Sequence, residues 1–121
     1  MADILIIEDD QTLSSAYKLI LEHAGYSVNV AENGQAGLSL ANQDTPKIIL
    51  LDLLMPVLDG IGFLREFKPT AKKEPKVVIL SNMGDEKLVE EARSLGAHKY
   101  IVKAHTSPNQ LTKLVNTMIA K

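Results

Sequence analysis

The chain has 121 residues, enough for one domain that buries roughly two thirds of its unfolded surface. With 13 basic and 15 acidic residues the formal charge is −2, which removes the electrostatic case for nucleic acid or an anionic membrane as partner. Cysteine is absent, excluding disulfides and thiolate metal sites, and Asp3 beside a short apolar run makes neither a signal peptide nor a membrane span; a soluble, cytoplasmic protein is expected.

Ile4–Ile7 is an unbroken apolar run that stops at Glu8, Asp9 and Asp10, and it reads as a buried strand. Leu13, Ala16, Tyr17, Ile20, Leu21 and Ala24 then recur at helical spacing, with Gly25 as the C-terminal cap. Residues 26–30 predict a short second strand. Asn33 and Gly34 supply turn chemistry before a modest helix carrying Ala36, Leu38, Leu40 and Ala41, weakened by Gly37 and ended before Pro46. Residues 48–51 predict a central third strand that runs straight into Asp52. Pro56 and Gly60 break the chain, and Ile61, Phe63, Leu64 and Phe67 mark a helix that stops near Pro69. A basic loop with Lys68, Lys72, Lys73 and Lys76 leads to a fourth strand at residues 77–80, ending at Ser81. Leu88, Val89, Ala92 and Leu95 give the next helix its buried face, closed by Gly96. Residues 100–102 predict a fifth strand ending at Lys103. Pro108 sits near the first turn of a last helix, where its missing N–H is tolerated, with Leu111, Leu114, Val115, Met118 and Ile119 facing the core.

Five strands alternating with five helices call for an α/β, doubly wound parallel sheet with right-handed crossovers. Parallel strands bring their carboxyl ends to one edge, so Glu8 and Asp9, Asp52, Ser81 and Lys103 are expected to meet there despite their separation in sequence. Three carboxylates so crowded repel one another unless a cation is bound, and an all-oxygen set suits Mg²⁺. Lys103 and Ser81 offer a positive charge and a hydroxyl donor to phosphoryl oxygens. Asp10 and Asp59 read better as helix caps than as ligands. The histidines His23, His98 and His105 lie away from the predicted strand ends and read as surface residues. The lysines at 68–76 read as a solvated loop.

The motifs ILIIEDD at 4–10, DLLMPVLDG at 52–60, VVILS at 77–81 and LGAHKYIVK at 95–103 stand in an order and spacing that resemble the receiver domain of bacterial two-component response regulators. The resemblance covers essentially the whole chain and implies a flavodoxin-like sheet in the order 2-1-3-4-5, with residues 1–121 as a single receiver domain; the five strand–helix units leave no room for an effector domain among these residues. It implies that Asp52 is the phosphoacceptor, loaded by a histidine kinase acting in trans with Mg²⁺ as cofactor. Asp9 and Asp52, with the backbone carbonyl of Leu54, would be metal ligands, and Glu8 would reach the ion through water. Lys103 would pair with a phosphoryl oxygen, Ser81 would bond another after phosphorylation, and Tyr100 would rotate inward as Ser81 moves. The state would pass through the fourth helix, fifth strand and fifth helix to an output protein or a histidine phosphotransfer protein. The expected form is a monomer or a weak phosphorylation-dependent dimer: a signalling switch and not an enzyme in the ordinary sense.

Three departures from the family pattern stand out. Ala104 occupies the place of a usual proline after the site lysine, Asn82 that of a smaller residue, and Leu54 and Met83 flank the site without a group that orients water. The last predicts slow autodephosphorylation. Plain packing competes with the switch role at Tyr100. Two other readings compete with the whole: a phosphorylation-independent adaptor, which would have no chemical need for Glu8, Asp9, Asp52, Ser81 and Lys103 together, and a flavodoxin-like cofactor binder. The latter is disfavoured because Glu8, Asp9 and Asp10 stand where a phosphate loop would follow the first strand.

Overall fold

Apolar runs at Ile4–Ile7, Ile48–Asp52 and Lys76–Ser81 form the central strands β1, β3 and β4, because side chains on both faces of these segments find apolar partners. The shorter β2 (Val28–Ala31) and β5 (Lys99–Val102) pair outside them, giving five parallel strands in the order 2-1-3-4-5. Helices α1 (Gln11–His23), α2 (Gly34–Asp44), α3 (Gly60–Phe67), α4 (Glu86–Ser94) and α5 (Pro108–Ile119) complete the expected doubly wound fold. The structure is a computed structural model that describes residues 2–55, 57–68, 75–82 and 84–119. Pro56, Pro69, Lys72, Lys73 and Met83 lie outside the described residues.

Successive strand residues point to opposite faces and so divide the core in two. Leu5, Ile7, Ile49, Leu51, Val77 and Ile79 pack with Phe63, Leu64, Val89 and Ala92 on the α2, α3 and α4 side. Ile4, Ile6, Ile48, Leu50, Val78 and Leu80 pack with Tyr17, Leu21, Leu111 and Val115 on the α1 and α5 side. Register then sets the working edge: Ile7 pairs with Leu51, and Leu51 with Ile79, so Glu8 and Asp52 follow at one level and Ser81 stands a step beyond.

Local chemistry accounts for most element ends. Asp10 caps α1 by accepting from Leu13 N–H at 3.1 Å, and Asp59 caps α3 by accepting from Gly62 N–H at 2.8 Å, the roles expected of both acids. Helices α1 and α4 close with paired backbone bonds donated by a left-handed glycine, Gly25 (φ 103°) or Gly96 (φ 109°), and the residue after it. Tyr26 N–H reaches back to Leu21 O at 3.1 Å to finish α1, and its hydroxyl donates to Asn116 on α5. That commitment removes Tyr26 from the sheet, so β2 begins at Val28, later than the sequence pattern predicts.

Two further expectations change. Gly37 does more than weaken α2: a Cβ there would lie 2.5 Å from Ile7 Cδ1, so its bareness lets the helix settle onto β1. His98 is partly buried and not a free surface side chain; its N–H donates to Val77 O at 2.8 Å while its Nδ1 accepts from Val77 N–H at 3.0 Å, tying the start of β5 to β4. His23 and His105 are exposed. Lys76 donates to Met118 O at 3.1 Å near the end of α5, a favourable place for a cation, while Lys68 is exposed.

Candidate functional site

At the end of β1 the backbone of Glu8 is still in the ladder, donating to Ala31 O at 3.0 Å, while its side chain is buried at 1 % exposure. Asp10 N–H donates to Glu8 Oε2 at 3.1 Å, and Asp9 between them is exposed. Asp52 ends β3 at 4 % exposure, with its Oδ1 accepting from Leu54 N–H at 3.3 Å. A three-residue 3₁₀ turn, Lys103–His105, follows β5 directly. It delivers the Lys103 ammonium to 2.7 Å from Glu8 Oε1 and 3.3 Å from Asp52 Oδ2. Ala104 after the lysine therefore does not keep the ammonium from the site.

Burial and charge set the protonation of this grouping. Burial pushes the Glu8 carboxyl up to about 7; neighbouring Asp52 adds to the rise, while Lys103 and the Asp10 N–H oppose it. Burial works against the Lys103 ammonium as well, but Glu8 and Asp52 outweigh it and hold the group above the ordinary lysine value. The buried Glu8 Oε1 has the Lys103 ammonium as its partner, in an ion pair at 2.7 Å. Carboxylate oxygens of Glu8, Asp9 and Asp52 all lie within 4.8 Å of one another. When ionised, three carboxylates against one ammonium leave two negative charges uncompensated. The donor set thus fits a hard divalent cation such as Mg²⁺.

Glu8, Asp9, Asp52 and Lys103 come together as the sequence predicts, with Leu54 adjoining through its backbone. Ser81 is turned away: its hydroxyl donates to Ile101 O at 3.1 Å, engaging β5. Tyr100 is 49 % exposed, so inward packing does not describe its position. It stands at a depression of about 340 Å³ lined also by Ser81, Asn82, Val89, Val102 and His105. Two contributors escaped the sequence reading. One is the Leu54 amide, which an aspartate two positions earlier could have signalled; the other is Thr106, whose hydroxyl donates to Val102 O at 2.9 Å, at the i−4 spacing typical of threonine.

The sheet order and this edge define a flavodoxin-like α/β domain whose working end gathers carboxylates around one lysine. The chain belongs to the response regulator receiver domain family, which residues 4–116 match, and is a two-component signalling receiver. It is 33 % identical over 122 aligned positions to the transcriptional regulatory protein SrrA of Staphylococcus aureus, covering 98 % of this chain and 48 % of that protein. The N-terminal domain of an uncharacterized protein from Wolinella succinogenes superimposes with a TM-score of 0.87 at 27 % identity, covering 99 % of this chain and 95 % of that one. A response regulator receiver domain protein from Clostridium thermocellum does so with a TM-score of 0.84 at 31 % identity, again over 99 % and 95 % of the two chains. The chain spans about half the length of the curated relatives it matches.

Proposed function

We propose that Asp52 accepts a phosphoryl group from the phosphohistidine of a histidine kinase, in a reaction that requires Mg²⁺. The observation that carries this reading is the Lys103 ammonium bridging Glu8 and Asp52 beside Asp9, a charge arrangement that suits a phosphoryl group and a divalent ion together. An ionised carboxylate needs no general base. An Asp52 oxygen attacks phosphorus, the P–N bond breaks with its electron pair returning to the imidazole nitrogen, and an acyl phosphate remains on Asp52. Asp9, Asp52 and the Leu54 carbonyl would hold Mg²⁺, with Glu8 acting through water. The bound ion supplies charge that neutralises the phosphoryl oxygens. Lys103 shifts its contact from Asp52 Oδ2 to a phosphoryl oxygen.

Ser81 then leaves Ile101 O for a second phosphoryl oxygen, and Tyr100 turns into the depression beside Val89. The α4, β5 and α5 face changes shape, and an output partner or a histidine phosphotransfer protein reads that change. The domain acts in the cytoplasm as a monomer or weak phosphorylation-dependent dimer; among the described residues no helix is long and apolar enough to cross a membrane. Autodephosphorylation is slow because the exposed Leu54 side chain cannot orient an attacking water. Leu54→Asn should shorten the acyl phosphate lifetime, followed by mass; an unchanged or longer lifetime would contradict this.

The decisive experiment is intact mass after incubation with Mg²⁺ and acetyl phosphate. One added phosphoryl group is expected, lost in Asp52→Asn and with a chelator. An adduct persisting in Asp52→Asn would move the acceptor elsewhere, and failure to bind either Mg²⁺ or beryllofluoride would favour the adaptor reading.

A further inference from the structure

Lys103 is the basic residue that ion-pairs with the site carboxylates among the described residues, yet the sheet does not hold it directly. It rides on the 3₁₀ turn Lys103–His105, just beyond the edge strand β5. So short a turn has little stability of its own, because fixing its dihedrals is not repaid by a run of helical hydrogen bonds. Something outside it must set its direction.

Thr106, half-buried immediately after the turn, donates its hydroxyl to Val102 O at 2.9 Å, immediately before the turn. The Val102 carbonyl shares one planar peptide with the Lys103 nitrogen, so holding that oxygen fixes the orientation from which the Lys103 side chain departs. Thr106 itself stands on a firm base. The next residue, Ser107, forms a reciprocal cap with Gln110: Ser107 N–H donates to Gln110 Oε1 at 2.8 Å and Gln110 N–H donates to Ser107 Oγ at 3.2 Å. Behind the cap, Leu111 and Val115 anchor α5 in the core with no exposed surface.

The neighbouring peptide is held differently. Ser81, not Thr106, donates to Ile101 O. Two hydroxyls therefore fasten consecutive β5 carbonyls, one belonging to a residue assigned to the switch and the other to the residue that precedes the α5 cap. If Ser81 departs, the Val102 carbonyl keeps its partner.

We propose that Thr106 is a positioning residue that clamps the turn carrying Lys103, so that the ammonium stays aimed at the acidic edge while Ser81 exchanges partners. The proposal rests on the reading in which Lys103 meets the incoming phosphoryl group. Thr106→Val preserves shape and removes the hydroxyl, Thr106→Ser restores it, and Lys103→Ala reports on the lysine itself.

Two readouts test it. Initial phosphorylation rates with acetyl phosphate and Mg²⁺, followed by mass, should fall about fivefold in Thr106→Val, as expected for loss of one such bond, and recover in Thr106→Ser. In metal-free protein, the Lys103 Cε–H NMR signals should shift and broaden in Thr106→Val alone, while the Leu111 and Val115 methyl signals stay in place. A normal rate in Thr106→Val with a slowed Lys103→Ala would overturn the clamp. Slowing in both Thr106 variants with displaced core methyl signals would also overturn it, reducing Thr106 to a general structural role. A normal rate in Lys103→Ala would overturn the assignment of Lys103 itself, and the clamp with it.

Discussion

Glu8 is where burial and charge oppose each other most directly. Between the ordinary value of 4.5 and the folded value of about 7, the folded chain keeps a proton that the unfolded chain has released. In the presence of a chelator this group should therefore make the protein lose stability as pH rises through that window, while Lys103 remains charged throughout. Mg²⁺ bound as proposed would displace the proton, so added Mg²⁺ should stabilise the protein more at about pH 8 than at about pH 5. Urea unfolding of wild type and Glu8→Gln, with and without Mg²⁺, checks both points; the same chelator pH slope in the two proteins would contradict the assignment to Glu8. Val57 offers a second residue-scale test. It holds φ 71° although β-branched, and at 80 % exposure it gains little from packing. Val57→Asn should raise stability by about 1 kcal/mol in the same assay, since asparagine enters the left-handed region at less cost.

Element junctions are where the site is assembled. Gly60 opens α3 against the end of β3: its N–H donates to Leu53 O at 3.1 Å, and a Cβ would fall 2.6 Å from Asp52 O and 2.7 Å from Leu53 Cα. Backbone atoms cannot yield as a flexible side chain can. Gly60→Ala should cost about 1–3 kcal/mol by urea unfolding and slow the proposed phosphorylation of Asp52, because relief must come from moving the strand end that carries Asp52. The same junctions show what could be read in advance. Central strands were legible because two-sided burial writes an unbroken apolar run, and Asp10 and Asp59 because capping is local. The start of β2 was not, because Tyr26 is used to close α1 and to reach Asn116, 90 positions away.

At the scale of the whole molecule, one sheet is shared by two apolar layers, and the two are expected to unfold together. Leu50, fully buried on the α1 and α5 side, is 0 % exposed. Leu50→Ala should cost about 2–5 kcal/mol while leaving a single unfolding transition; two resolved transitions would show that the layers unfold independently. Apolar runs, glycine and proline breaks and capping residues determined, by themselves, the alternation of strands and helices and the acids, serine and lysine at the strand ends. These are local choices repeated along the chain. Tertiary structure alone decided that Lys103 bridges Glu8 and Asp52, that Ser81 is turned to Ile101, that His98 ties β5 to β4, and that Thr106 reaches Val102 O across the turn that follows β5. Each depends on where a distant backbone atom or charge arrives after folding, which no periodicity encodes.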